Sequence, residues 1–143
     1  MYLYVYILYK NYRCRVPEIL ENYVNAGITP HHYPMDDFKE PKFKTCLETV
    51  QKLLECIKEE RKTLIHCIAG VGRTCLVAGL LLLELDSNMQ EDAVIQKLQD
   101  LRGPNAIQTV KQFNFINDFR ESKNKFSMQP IIEAPLSIRS VSR

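Results

Sequence analysis

Cys67, Arg73 and Thr74 are spaced for chemistry on a tetrahedral oxyanion. Cys67 ends a short β-like run, Thr63-Leu64-Ile65-His66, and the loop Ile68-Ala69-Gly70-Val71-Gly72 separates it from Arg73 and an apolar helix. A loop of this length can curl so that the backbone N–H groups from Ile68 to Arg73 face one small bowl. Gly70 and Gly72 permit the φ > 0 turns and the close backbone approach that this needs. The bowl lies at a helix N-terminus, where free N–H groups and the macrodipole favour an anion. A thiol in that field ionises near neutral pH, and the thiolate is a nucleophile. Arg73 can grip two oxygens through its planar fork, and Thr74 can donate its hydroxyl to the sulfur when that sulfur leaves. A buried core cysteine would account for Cys67 alone, leaving Arg73 and two glycines in register unexplained. A nucleotide-type phosphate loop is excluded, because no Gly-Lys-[Ser/Thr] triplet occurs.

Hydrolysis of a phosphate ester also needs a general acid for the leaving oxyanion. Asp36 and Asp37, on a loop ahead of the cysteine, are the candidates; the alternative is a solvated turn, since Asp is common in loops. His66 is placed to hold the loop and tune the thiolate rather than to move protons. Gln108 can orient the hydrolytic water or merely cap a helix. Cys75 reads as helix core. His31 and His32 flank the pocket or simply finish a strand, and Lys39, Lys42 and Lys44 read as a solvated helix start.

The elements that must position these groups follow from periodicity. Tyr2 to Tyr9 alternates as a strand. Val16-Pro17 opens a helix with Ile19, Leu20, Tyr23 and Val24 as its apolar positions and Gly27 as its C-cap. Ile28 to Pro34 is a second short strand. Phe43, Leu47, Val50, Leu53, Leu54 and Ile57 mark one face of a helix ending near Arg61. The helix after Arg73 ends near Asp86, and Ser87-Asn88 caps another with Ala93, Val94, Leu98 and Leu101 inward. The last helix runs from about Ile107 to Lys123 with Val110, Phe113, Ile116 and Phe119 inward. Strands alternating with helices argue an α/β fold with a mainly parallel sheet. In such a fold the reactive loop lies at the carboxyl end of its strand.

At 143 residues the chain holds one domain, expected over 1–125, with 126–143 a mobile tail. A net charge of +2 does not argue for nucleic acid or membrane binding. The five cysteines include no C-x-x-C pair, so neither metal nor cofactor is expected. A working thiolate places the chain in a reducing compartment, cytosol or nucleus. The N-terminal MYLYVYILY lacks a basic n-region and a cleavage site, and the helix around Leu80 to Leu83 is too short to span a bilayer.

HCIAGVGRT resembles the dual-specificity branch of the cysteine-dependent phosphatases. RVPEILENYVNAGITPHHYPMDD, RKTLIHC, GRTCLVAGLLLLEL, LRGPNAIQTVKQFNFINDFR and the terminal RSVSR resemble the kinase-associated phosphatase family of the cyclin-dependent kinase inhibitor type. The resemblance implies a phosphoprotein substrate, the activation-segment threonine of a cyclin-dependent kinase after cyclin has left, and so a restraint on the cell cycle. It implies Cys67 as nucleophile, Arg73 as phosphate clamp with the loop Ile68, Ala69, Gly70, Val71 and Gly72, and Asp37 as acid, since the second of a paired Asp serves in relatives. The chain departs from the family in beginning inside its catalytic domain, which implies a sheet lacking some N-terminal strands. It also places Phe38, Lys39 and Glu40 after Asp37, where relatives carry small residues. A kinase-binding module with little turnover is the alternative. A rhodanese-like sulfur transferase fits less well, because Thr74 and the aspartate pair have no part in it.

Overall fold

Three parallel strands set the frame for the reactive loop. The computed structural model describes residues 3–7, 18–36, 38, 39 and 41–128. Strands β1 (Leu3–Ile7), β2 (Ile28–His32) and β3 (Lys62–His66) form a sheet in the order β2-β1-β3. Leu3 pairs with Ile28 and Lys62, and Ile7 with His32 and His66. In a parallel sheet every connection must cross over to return to the same end. Helix α1 (Ile19–Asn25) makes the first crossover and α2 (Phe43–Lys58) the second. The chain therefore leaves β2 and β3 at the same edge, about 10 Å apart with β1 between them. The aspartate loop follows β2 and the cysteine loop follows β3, so this edge assembles the site.

Helices α3 (Arg73–Leu85), α4 (Glu91–Arg102) and α5 (Val110–Met128) follow among the described residues. Leu76, Val77 and Leu80 of α3 are buried with Val50 and Leu53 of α2, Val94 and Leu98 of α4, and Ile116 and Phe119 of α5. The α3 sequence is apolar all round because α2, α4 and α5 cover it on several sides. Gly79 makes the closeness possible. A Cβ there would sit 3.1 Å from Leu98 Cδ1 and 3.3 Å from Ile116 Cδ1. Its place in mid-helix costs roughly 1 kcal/mol of propensity relative to Ala.

Several expected core positions face solvent instead. Helix α1 buries no residue, and Val24 is exposed. Leu101, Val110 and Phe113 are exposed, while Ile95 takes the inward place on α4. Periodicity shows that one face is apolar, but the neighbouring elements decide how wide a stripe is covered. Helix α4 is preceded by Gln90 rather than by Ser87-Asn88. Helix α5 starts at Val110, three residues later than periodicity suggests, and continues to Met128, past the expected end of the domain at 125. Val16, Pro17, Asp37 and the tail from 129 lie outside the described residues.

Candidate active site

The loop between β3 and α3 is a local product of its glycines. Gly70 has φ +71° and Gly72 φ +48°, both in the region that favours glycine. Gly72 precedes the first helical residue, so Arg73 and Thr74 enter the helix with their side chains beside the loop.

Cys67 is 7% exposed, and its Sγ donates to the Val71 carbonyl at 3.2 Å. Burial pushes this thiol up. The Thr74 hydroxyl, the Thr74 and Gly70 backbone N–H groups and the Arg73 guanidinium outweigh it, so the Cys67 pKa lies below the ordinary thiol value. Cys46 shows the contrast: burial without such partners pushes it up to about 12. Thr74 Oγ1 is buried and makes no hydrogen bond among the described residues. While Cys67 is protonated, its own S–H goes to Val71 O. Once it ionises, the sulfur becomes an acceptor for the Thr74 hydroxyl. The arrangement stores a donor for the charged state.

The loop amides are not all directed alike. Gly72 N–H donates to Ala106 O at 2.9 Å, so it is committed to the segment after α4 rather than to the bowl. In a trans peptide the preceding carbonyl points the opposite way. Val71 O accordingly turns inward, where it accepts from Cys67 Sγ and, at 3.1 Å, from Thr74 N–H. The expected ring of inward amides from Ile68 to Arg73 is thus interrupted at Gly72 in this state.

Arg73 is 5% exposed, and its Nη1 donates to the Met35 carbonyl at 3.1 Å. Met35 is itself buried, so the segment leaving β2 is anchored to the arginine of the loop leaving β3. Asp36, next in sequence, is exposed and pairs with Lys39 at 3.6 Å. Asp37, the acid that the family resemblance implies, lies outside the described residues. Of the neighbouring lysines, Lys44 pairs with Glu48 at 3.9 Å on the first turn of α2.

His66 Nδ1 lies 3.1 Å from the Cys67 carbonyl, which can only accept, so Nδ1 carries the proton. Nε2 is then the acceptor for Tyr23 OH at 3.2 Å. His66 thus links the Cys67 carbonyl to Tyr23 of α1, a support that nothing in the spacing announced. His31 is half-buried in β2, and His32, exposed, lines a groove with Tyr33, Met35, Asp36 and Lys42. Cys75 is 1% exposed in the helix core, where burial pushes its thiol up.

Gln108 packs against the Cys67 loop: a Cβ on Gly72 would run into its side-chain amide. It is held there by Gln112, 1% exposed, whose Oε1 accepts the Gln108 backbone N–H at 2.9 Å. Thr109 Oγ1 accepts from Gln112 N–H at 3.1 Å and caps α5. The sequence reading does not single out Gln112, yet Thr109-x-x-Gln112 is a capping-box pattern that marks the helix start. Arg102 was missed as well. Its Nη2 donates to Gly70 O at 2.9 Å across 32 residues of sequence, and no local pattern announces that reach. Among the described residues no cluster of His, Cys, Asp and Glu is arranged to hold a metal ion, and no helix is long and apolar enough to cross a membrane.

Comparison with known proteins identifies the family and the fold. The family described as Cyclin-dependent kinase inhibitor 3 (CDKN3) matches residues 3–95. The human Cyclin-dependent kinase inhibitor 3 is 47% identical over 107 residues, covering 75% of this chain and 50% of the human protein. The chain thus spans about half the length of the curated relatives it matches. A crystal structure of kinase associated phosphatase, with its catalytic site cysteine substituted by serine, superposes with a TM-score of 0.82. It is 38% identical, over 90% of this chain and 72% of that one. The active form of Tk-PTP matches with a TM-score of 0.73 at 27% identity, over 82% and 78%. The fold is that of the cysteine-dependent phosphatases, and this chain belongs to the Cyclin-dependent kinase inhibitor 3 family.

Proposed function

We propose that this chain is a cysteine-dependent protein phosphatase. It hydrolyses phosphothreonine, phosphoserine and phosphotyrosine through a phosphocysteine, and acts on the activation segment of a cyclin-dependent kinase to restrain the cell cycle. The observation that carries the reading is Cys67, a buried thiol whose pKa is nevertheless lowered, at the mouth of a helix that supplies Arg73 and Thr74. The kinase rests on the family alone.

In the first step the Cys67 thiolate attacks phosphorus in line, and the bond to the ester oxygen breaks as Asp37 protonates that oxygen. Arg73 and the inward loop amides hold the equatorial oxygens, where the transition-state charge is spread. In the second step Asp37 takes a proton from water positioned by Gln108. The oxygen attacks phosphorus, and Cys67 leaves as a thiolate stabilised by the Thr74 hydroxyl. The lowered thiol pKa serves both steps, because it favours the nucleophile and then the leaving group. A reducing compartment, cytosol or nucleus, suits such a thiolate.

The test is hydrolysis of an aryl phosphate, then of a phosphothreonine peptide from a kinase activation segment, by the chain and its Cys67→Ser variant. Circular dichroism checks that both are folded. Turnover lost with the thiol, while phosphate binding persists, is the expected result. Turnover retained by the serine variant would overturn the assignment. A folded, inert wild-type chain that binds kinase would establish a binding module instead.

A further inference from the structure

We propose that Arg102 is a positioning residue of the phosphate loop: by holding the Gly70 carbonyl on the α4 side, it keeps the Val71 N–H turned toward the bound oxyanion. This rests on the reading of the Cys67 loop as a phosphate site. Arg102 occupies the last turn of α4, just before Gly103, and its Nη2 lies 2.9 Å from Gly70 O. The Gly70–Val71 peptide is trans, so its N–H and C=O point in opposite directions. A carbonyl fixed toward Arg102 therefore commits the Val71 amide to the other side. The Gly70 N–H faces the Cys67 sulfur, which identifies the inside of the curl.

The loop needs this restraint because of the glycines that let it form. Gly70 and Gly72 flank Val71, and glycine offers little steric resistance to rotation of the adjoining peptides. Cys75 Sγ also reaches the Gly70 carbonyl, at 4.0 Å, but a thiol is a weak donor. Without Arg102 the Gly70–Val71 peptide can turn over and present a carbonyl oxygen to the anion. The neighbouring peptide is gripped by the same stretch of chain, since Ala106 O accepts Gly72 N–H at 2.9 Å. The segment from Arg102 to Ala106 thus seizes two successive loop peptides from outside. Arg102 itself is exposed, so its interaction with Gly70 can be removed without opening a buried cavity, although its guanidinium also meets the Cys75 thiol.

The experiment compares the full chain with Arg102→Met and Arg102→Lys. Calorimetric binding of tungstate, a tetrahedral oxyanion, is measured together with the pH midpoint of Cys67 alkylation by iodoacetamide. The methionine variant is expected to bind tungstate roughly tenfold more weakly, the effect of losing a charged hydrogen bond. Its alkylation midpoint should move upward while the melting temperature stays close to wild type. The lysine variant, a point charge without the fork, is expected to lose about threefold. It decides alone if the methionine variant does not fold. Unchanged affinity and midpoint in a folded variant would overturn the proposal. An inert wild-type chain that still binds tungstate rejects the hydrolytic reading and leaves the Arg102 comparison intact. A wild-type chain that binds no oxyanion overturns both.

Discussion

Arg73 Nη1 donates to the carbonyl of Met35 at 3.1 Å, tying the arginine that follows the Cys67 loop to the segment that leads into Asp36. In the proposed reaction one guanidinium serves both phosphate binding and the placement of the segment after β2. Its planar fork can hold a backbone carbonyl with one arm and phosphate oxygens with the others. A lysine has one point of attachment and must choose. Arg73→Lys is expected to lower kcat/KM on an aryl phosphate at least ~100-fold, the scale of removing an oxyanion donor. Steady-state hydrolysis checks it, and a loss below tenfold would detach Arg73 from both roles.

Thr74 is expected to set the acid limb of the pH profile. Thr74→Ala removes the hydroxyl that, more than the loop amides and Arg73, opposes burial at Cys67, so the thiol pKa rises toward its ordinary value. The sign is unambiguous: a lowered pKa keeps the thiolate populated at lower pH, and its loss shifts the acid limb of activity to higher pH. The midpoint of iodoacetamide inactivation should move the same way. An unmoved midpoint would leave the amides and Arg73 as the whole cause. Thr74→Ser, which restores the hydroxyl, should restore the profile.

The two aspartates separate by leaving group. Asp37→Asn is expected to slow phosphothreonine peptides by about 10²–10⁴-fold, as loss of a general acid does. Aryl phosphates, with better leaving groups, should suffer far less. Asp36 is exposed and paired with Lys39, so Asp36→Asn should leave both rates within about threefold, in line with the small worth of exposed ion pairs. The reverse pattern would transfer the acid role to Asp36.

Phe38 carries strain. Its φ is +58° and its side chain is 60% exposed, so a bulky residue holds a left-handed backbone without burial to offset it. Phe38→Gly relieves that strain but gives the unfolded chain more freedom, and the net gain should be roughly 0.5 kcal/mol. Thermal unfolding should show a rise of about 1–2 °C for a chain of this size. A fall would mean that the phenyl ring makes a stabilising contact that outweighs the backbone term.

Much of the fold was legible where the signal is local. The parallel α/β layout followed from strands alternating with helices, and β3 ends at His66 as the run Thr63 to His66 suggested. Helix faces were less legible. Val110 and Leu101 fit the inward period yet stand 74% and 70% exposed, because the period describes one helix and the cover comes from its neighbours. The start of α5 was misplaced for a similar reason: Ile107 continues the apolar pattern, but Thr109 supplies the cap.

By itself the sequence determined the reactive unit. Cys67, Gly70, Gly72, Arg73 and Thr74 lie within eight residues, and a strand–loop–helix with glycines at fixed places has little choice of shape. Only the tertiary structure decided what surrounds it. Tyr23 reaches His66 across 43 residues, Arg73 reaches Met35 across 38, and Arg102 reaches Gly70 across 32. These partners are chosen by which strand ends share an edge of the sheet and which helix packs against α3. The direction of the Gly72 amide, toward Ala106 and away from the bowl, was decided in the same way. Spacing along the chain fixes how a loop can bend, whereas the groups that meet its carbonyls and amides come from elements folded against it.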